Sequence, residues 1–177
     1  MAKWPAVIKP KQLVKNRAIG MDLYPTFLDA AGLKLTPDQH ADGQSLLPVF
    51  KGTQKNKKRR LVFHYPHYTS NSSPYSSIID GDFKLIHFYN DEEGAYLLFD
   101  LSKDLSEQNN LSIKEPKITQ KLAMLLEMEL KKMDAELPIP NPNYQADAKN
   151  FSNLKSNYSR ANRDREKQKK KIDNSKI

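Results

Sequence analysis

The sequence predicts an α+β fold, in which a small four-stranded antiparallel sheet carries a C-terminal helix on one face and is preceded by a shorter helical segment. Two observations predict this order. Four short runs rich in aromatic and β-branched residues lie between residues 61 and 101, and such runs are typical of strands. Apolar residues then recur at helical spacing from residue 113 to 137, which favours an amphipathic helix.

The sheet is predicted from four runs joined by short connections. They are Leu61 to Tyr65, Ser76 to Ile79, Phe83 to Tyr89 and Tyr96 to Leu101. Between the second and the third run stands Asp80-Gly81-Asp82, a strong signal for a tight hairpin turn. Runs that are neighbours in the chain are therefore expected to pair antiparallel.

One helix is predicted before the four strands in the sequence and one after them. The C-terminal helix, from Ile113 to Leu137, has an apolar stripe of Ile118, Leu122, Leu125, Leu126, Leu130 and Met133. Prolines from residue 138 onward are expected to end it. The earlier helix spans Met21 to Ala31, with its core face supplied by Leu23, Phe27 and Leu28, Pro25 in its first turn and Gly32 as a C-cap glycine.

The segment from Lys34 to Gly52 is predicted as a loop. It contains Asp42-Gly43, which we interpret as a turn because glycine tolerates a positive φ and aspartate can hydrogen-bond its own backbone.

Charge is unevenly distributed along the 177 residues. The chain has 29 Lys or Arg against 21 Asp or Glu, a net charge of +8. Ten of the basic residues and only three of the acidic residues lie between residues 149 and 177, so this polar run is interpreted as a solvated, disordered tail. A basic nucleic-acid-binding module is the alternative, although the run from Arg160 to Lys171 lacks the interleaved aromatic residues that such a surface favours.

Cysteine usage and hydropathy exclude several classes. The chain has no cysteine, so neither a disulfide framework nor a cysteine metal site is present. It also has no apolar run of the roughly 20 residues that a membrane span needs, and residues 1–10 lack the apolar region of a secretory signal.

Five short segments, in this order, carry a resemblance to a known family. They are Lys3 to Pro10 (KWPAVIKP), Asp22 to Gly32 (DLYPTFLDAAG), Asp42 to Pro48 (DGQSLLP), Asp80 to Ile86 (DGDFKLI) and Leu98 to Leu111 (LFDLSKDLSEQNNL). The set resembles the C-terminal part of type I sulfatases, relatives of alkaline phosphatase, and the run ELPIPNPNY from residue 136 resembles the tail of some polysaccharide sulfatases. Residue by residue, most of these segments also have a structural interpretation: a helix start, turns, and surface charges at Lys84 and Asp104.

The resemblance implies a hydrolase of sulfate esters and a division of the chain. Residues 1–52 would end the N-terminal α/β sulfatase domain, 53–145 would form a C-terminal subdomain, and 146–177 the basic tail. In the family a formylglycine made from a C/S-x-P-x-R sequence is the nucleophile and stands beside calcium. Ser72-Ser73-Pro74-Tyr75-Ser76 has serine where that motif needs arginine.

We therefore expect no catalytic residue and no metal ligand in this chain, and no activity from it alone. Calcium and formylglycine would belong to the N-terminal catalytic domain, its expected partner. By the same resemblance the complete enzyme would be periplasmic or secreted. A phosphoester hydrolase of the same superfamily is the nearest alternative.

One cluster of histidine and tyrosine is a candidate site. His64, His67 and Tyr68 lie at the end of the first predicted strand, and His87 lies in the third. Imidazole titrates near neutral pH and can bind metals or move protons, but on the residues alone packing and hydrogen bonding at a strand end are the favoured interpretation. In the family this region borders the pocket, so the resemblance implies contacts to a sulfated sugar or an aryl sulfate. The family often has arginine where this chain has Ile79.

Overall fold

The computed structural model describes residues 2–14, 16–53, 59–67, 73–89, 96–139 and 142–143. The predicted tail, 146–177, lies outside these ranges. The chain divides into two compact units, Met1–Lys58 and Arg59–Ile177, and each is described by itself. None of the described helices is long and apolar enough to cross a membrane.

The first unit contains two helices after a single 3-10 turn, Gly20–Asp22. Helix α1 spans Leu23–Ala30 and helix α2 spans Leu47–Phe50. Gly32 ends α1 as predicted: its φ is +70°, and the amide of Leu33 donates to the carbonyl oxygen of Leu28 at 2.9 Å, the bond of a Schellman motif. The prediction of a loop throughout 34–52 was wrong at α2, which is a single turn with proline near its start.

Asp22 fastens the start of α1 to the loop before α2. Its side chain is fully buried and accepts hydrogen bonds from the amides of Ile19 at 2.9 Å and of Gln44 at 3.0 Å. One turn later, the hydroxyl of Thr26 donates to the carbonyl oxygen of Asp22 at 2.6 Å and accepts from the amide of Leu46 at 2.9 Å. These bonds satisfy backbone donors that would otherwise be unpaired at a helix start.

Gly43 is required for close backbone contact. A Cβ atom at this position would lie 2.2 Å from the carbonyl oxygen of Met21, which no side chain can tolerate. Its φ is not among the positive values of the described glycines, which are Gly32, Gly52 and Gly81. The turn was predicted correctly, but the reason given for the glycine was wrong.

The predicted core face of α1 was also wrong in part. Leu23 is 52% exposed and Phe27 is 65% exposed, whereas Pro25 and Thr26 are buried. The spacing identified an apolar stripe correctly, but within this unit the helix turns its proline and threonine inward because Thr26 bonds the loop before α2.

The second unit is built on a four-stranded antiparallel sheet of order β1-β2-β3-β4. The strands are Leu61–Tyr65, Tyr75–Asp80, Phe83–Phe88 and Tyr96–Asp100, within one residue of the predicted bounds at each end. The β2–β3 hairpin has Gly81 and Asp82 as its two turn residues, because Asp80 pairs with Phe83. Gly81 has a φ of +57°, the positive value that a two-residue hairpin turn demands.

Helix α3, Pro116–Lys132, packs on one face of this sheet. The core consists of three strand residues and three helix residues: Ile78, Leu85, Leu98, Leu122, Leu126 and Leu130. All six are at most 8% exposed, and Ile118 and Leu125 pack partly buried against them, so most of the predicted stripe faces the sheet. Met133 was wrongly included in the stripe, because it lies after the last residue of α3 and is 51% exposed. The helix ends five residues before the predicted bound, because Asp134 adopts a φ of +50° and the amide of Ala135 donates to the carbonyl oxygen of Leu130 at 3.0 Å.

The last two family-like segments meet through side chains. Lys84 on β3 donates to both carboxylate oxygens of Glu107 at 2.8 Å, and the two side chains are 22% and 31% exposed. Lys84 was predicted as a surface charge and is instead a half-buried ion-pair partner. Within the second of these segments, the carboxylate of Asp104 accepts hydrogen bonds from the amides of Gln108 and Asn109 and so stabilises the turn around Glu107. These bonds lower the pKa of the Asp104 carboxyl group.

Candidate functional site

His64 and His87 lie in one cross-strand row. Pairing sets His64 opposite Ser76, Ser76 opposite His87, and His87 opposite Tyr96. Ser76, His87 and Tyr96 are each two positions from a core residue, and His64 is two positions from Val62, which packs against that core. Residues two apart in a strand share a face. The row therefore lies on the face that α3 covers, at the end of the sheet beyond the leucine and isoleucine core.

Both ring nitrogens of His64 are engaged by the chain itself. Nε2 lies 2.8 Å from the carbonyl oxygen of Glu136, and Nδ1 lies 2.6 Å from the hydroxyl oxygen of Ser76. A carbonyl oxygen can only accept, so Nε2 donates, and in the neutral ring Nδ1 accepts from Ser76. The hydroxyl of Tyr89, 2.6 Å from that of Ser76, then donates to it. His64 thus joins β1 to the segment that follows α3.

This histidine and serine pair does not form a nucleophilic dyad. The side chain of Ser76 is fully buried and lies between His64 and Tyr89, with no open side from which an ester could approach. A serine nucleophile must reach the reacting atom of its substrate. The geometry is that of a structural hydrogen-bond chain.

His87 is packed between two tyrosine rings. Its ring centroid lies 4.8 Å from that of Tyr96 and 5.0 Å from that of Tyr89. Burial lowers the pKa of His87 from 6.5 because a partly dehydrated imidazolium is disfavoured. Burial also raises the pKa of Tyr89 and of Tyr96 above 10.0. Burial thus favours the neutral form of all three rings, which present hydrogen-bonding groups and aromatic surface.

His67 lies apart from His64 and His87. It is exposed, and its ring stands edge-on to Tyr65, 5.6 Å between centroids. Tyr65 stacks on Tyr75 at 6.1 Å, and Tyr75 packs against Phe88 at 5.9 Å. This aromatic row occupies the sheet face opposite α3, so the structure does not bring the predicted histidines into one site. Tyr68 lies outside the described residues.

Sequence reasoning missed Ser76, Tyr89 and Tyr96 as neighbours of the histidines. The β2–β3 hairpin contained the information needed to find Ser76. A two-residue turn at Gly81-Asp82 fixes the register of β2 and β3, and counting back from it sets Ser76 opposite His87.

No group of three or more histidine, cysteine, aspartate or glutamate side chains in the described ranges could hold a metal ion.

Comparison with known proteins places these features in one family. The family model described as "N-sulphoglucosamine sulphohydrolase, C-terminal" matches residues 1–136. An N-acetylglucosamine-6-O-sulfatase of Bacteroides thetaiotaomicron is 33% identical over 114 residues, which are 62% of this chain and 20% of that protein. A sulfatase of Formosa agariphila is 31% identical over 140 residues, 73% of this chain and 25% of that protein.

A solved structure agrees with the described fold. A protein in complex with its substrate, D-glucosamine-2-N,6-O-disulfate, is 33% identical and superposes with a TM-score of 0.50 over 64% of this chain and 24% of that chain. The chain therefore spans a quarter or less of the length of these relatives.

Proposed function

Because the chain belongs to the family of N-sulphoglucosamine sulphohydrolase C-terminal domains, we propose that it serves as the C-terminal portion of an enzyme that hydrolyses sulfate esters. The observation that carries this proposal is the match over residues 1–136. The matched range includes residues of both compact units, and within the second unit it includes the sheet, α3 and the Lys84–Glu107 pair.

The chemical step belongs to the remainder of that enzyme. The 177 residues contain no cysteine, and their nearest approach to the C/S-x-P-x-R sequence, beginning at Ser72, lacks the arginine. Formylglycine and calcium would thus be supplied by an N-terminal catalytic domain, the partner of this chain. The role left to the described residues is to complete the fold and to shape one side of the pocket.

The substrate class is a sulfated amino sugar. Two observations support this class: the relative named as an N-acetylglucosamine-6-O-sulfatase and the relative solved with a glucosamine disulfate are each 33% identical to this chain. Sulfated glucosamine is therefore the substrate proposed, and an aryl sulfate is the alternative because arylsulfatase K of Homo sapiens is 35% identical over 122 residues.

The candidate site residues take different roles within this proposal. His67 is exposed beside Tyr65 and is free to meet a sugar hydroxyl or a sulfate oxygen. His64 holds the segment after α3 through Glu136 and acts by positioning it, and His87 contributes a neutral ring. Tyr68 stays a candidate from the sequence alone.

The family resemblance implies a location outside the cytoplasm, and we propose that the complete enzyme is periplasmic or secreted. Cell fractionation with an antibody against this chain tests it. Detection in the cytoplasmic fraction alone would contradict it.

The function is tested with the protein encoded when the reading frame is continued upstream of residue 1. We expect a C/S-x-P-x-R sequence in that frame, and release of sulfate from glucosamine 6-sulfate by the purified product. Glucosamine 6-phosphate is the matched control. Faster release of phosphate than of sulfate would replace the proposal with a phosphoester hydrolase.

A further inference from the structure

We propose that a cleft between α3 and β4 binds an amino sugar unit that carries no sulfate, with the carboxylate of Glu127 pairing with the ammonium group of the sugar. This cleft is called the α3 cleft below. It binds its ligand and does not hydrolyse it, so its role goes beyond the proposed function.

The α3 cleft lies beside the core of the second unit and has a volume of about 360 Å³. Pockets for small ligands begin at about 300 Å³, so the cleft is large enough for a single sugar unit. One wall is a stripe along α3, whose members lie three or four positions apart and therefore share one side of the helix. The stripe consists of Pro116, Thr119, Gln120, Ala123, Met124 and Glu127, and Tyr96 and Ser112 complete the lining.

The lining combines apolar and hydrogen-bonding groups. Pro116, Ala123 and Met124 contribute apolar surface, whereas Gln120 contributes an amide and Glu127 a carboxylate. A pyranose ring has the same two characters, because its C–H groups are apolar and its hydroxyls both donate and accept hydrogen bonds. Ligand sites use apolar surface for contact and a few polar groups for orientation, so this lining fits a sugar ring.

Two polar side chains of the α3 cleft keep their hydrogen-bonding capacity for a ligand. Within the part of the chain that the structure describes, the amide of Gln120 and the carboxylate of Glu127 form no hydrogen bond or ion pair with another residue. The nearby carboxylate of Glu129, by contrast, pairs with Arg60 at 2.7 Å. The polar groups that line the cleft are therefore the ones that the fold leaves available.

Tyr96 is fixed in position before a ligand arrives. Its ring stacks on that of His87, with 4.8 Å between centroids, and it packs partly buried against the core. Burial and, secondly, the negative charge of Glu127 raise the pKa of Tyr96, which indicates that the carboxylate lies near the phenol. A lining that is ordered in advance loses little conformational entropy on binding.

The charge of the α3 cleft selects the class of sugar. Among the eight lining residues, Glu127 is the single charged one. A carboxylate attracts an ammonium group and repels a sulfate, and a hydrogen bond between ionised partners is about twice as strong as a neutral one. The cleft therefore favours an amino sugar with a free amino group over a neutral sugar and over a sulfated one.

The same ligand has a place in the proposed function. Hydrolysis of glucosamine 6-sulfate by water leaves glucosamine and sulfate, and glucosamine is an amino sugar without sulfate. Resting on that function, the α3 cleft binds the desulfated product or a desulfated unit of a longer glycan.

The test is a titration of the 177-residue chain with glucosamine, N-acetylglucosamine and glucosamine 6-sulfate, followed by NMR of the backbone amides. It is done at pH 6, where an alkyl amine is protonated. Glucosamine should shift the amide signals of the cleft residues and saturate with a Kd on the order of millimolar, because a single sugar unit makes few contacts. The acetylated sugar has no ammonium group and the 6-sulfate adds a negative charge, so both should bind more weakly.

The variant Glu127→Gln is compared with the matched control Glu115→Gln. Both glutamates are exposed, and Glu115 precedes α3 and lies outside the cleft lining. Because an exposed ion pair is weak, Glu127→Gln should raise the Kd for glucosamine about threefold to fivefold, whereas Glu115→Gln should leave it unchanged. Glu127→Gln should also abolish the preference for glucosamine over N-acetylglucosamine.

Three results would overturn the assignment of the α3 cleft. They are the absence of saturable shifts at the cleft residues, equal Kd values for wild type and Glu127→Gln, and tighter binding of glucosamine 6-sulfate than of glucosamine. Equal weakening by Glu115→Gln would likewise overturn it, because the effect would then come from overall charge. The titration measures binding alone, so a protein of the extended reading frame that releases no sulfate would reject the proposed function and leave the cleft assignment intact.

Discussion

Replacing His64 by alanine should weaken the fold of the second unit, whereas replacing His67 should not. His64→Ala removes the bonds to Ser76 and to the carbonyl oxygen of Glu136, at 2.6 and 2.8 Å. His67 makes its aromatic contact from an exposed position. The two variants thus delete the same side chain, three residues apart, from two different environments.

The expected magnitude follows from the two lost bonds of His64. An intramolecular hydrogen bond contributes about 0.5–1.5 kcal/mol net, and because His64 is only half-buried we expect the lower half of the combined range, about 1–2 kcal/mol. For a folded unit of this size that corresponds to a fall in thermal midpoint of roughly 5–10 °C. His67→Ala should change the midpoint by about 1 °C or less, as exposed substitutions do.

Far-UV circular dichroism during thermal and urea denaturation measures both variants in the 177-residue chain. Ser76→Ala and the double variant His64→Ala/Ser76→Ala complete the experiment. Because the two side chains bond each other, their effects should be less than additive. Equal midpoints for His64→Ala and wild type, or equal losses for His64→Ala and His67→Ala, would refute the structural role assigned to His64.

Three further predictions concern other parts of the chain. Because the pKa of His87 is lowered in the folded state, the unfolded state binds this proton more readily as the pH falls, and the folded state loses stability. The urea midpoint should therefore be higher at pH 7.5 than at pH 5, and His87→Gln should reduce this difference. An unchanged difference would contradict the prediction. A double-mutant cycle on Lys84→Met and Glu107→Gln should give a coupling of about 1 kcal/mol that falls in high salt, and zero coupling would count against the pair. Gly43→Ala should unfold the first unit because its Cβ meets a carbonyl oxygen, whereas Gly20→Ala, with nothing within 4 Å, should be tolerated, and proteolysis distinguishes the two.

The sheet was predictable because its signals are local. Aromatic or β-branched residues mark each strand, and Gly81 sets the tight turn with its positive φ. The helix ends differ in this respect. Gly32 ends α1 with the residue type that favours a left-handed conformation, and it was predicted, whereas Asp134 does the same for α3 without a glycine and was not.

The candidate site was less predictable because it depends on which face each side chain occupies. His64 lies within β1, whereas His67 follows Pro66 beyond the end of the strand, so the alternation of strand side chains does not say where His67 lies. The partner of His64 beyond the sheet, Glu136, lies 72 residues away in sequence, and no local pattern announces such a bond.

The chemical step is assigned to the rest of the enzyme and not to this chain. Release of sulfate from glucosamine 6-sulfate, followed by ion chromatography with and without added calcium, tests that assignment. The 177-residue chain alone should release no more sulfate than the buffer, and the protein of the extended reading frame should release it with multiple turnover. Turnover by the 177-residue chain alone, abolished by a substitution within it, would contradict the account.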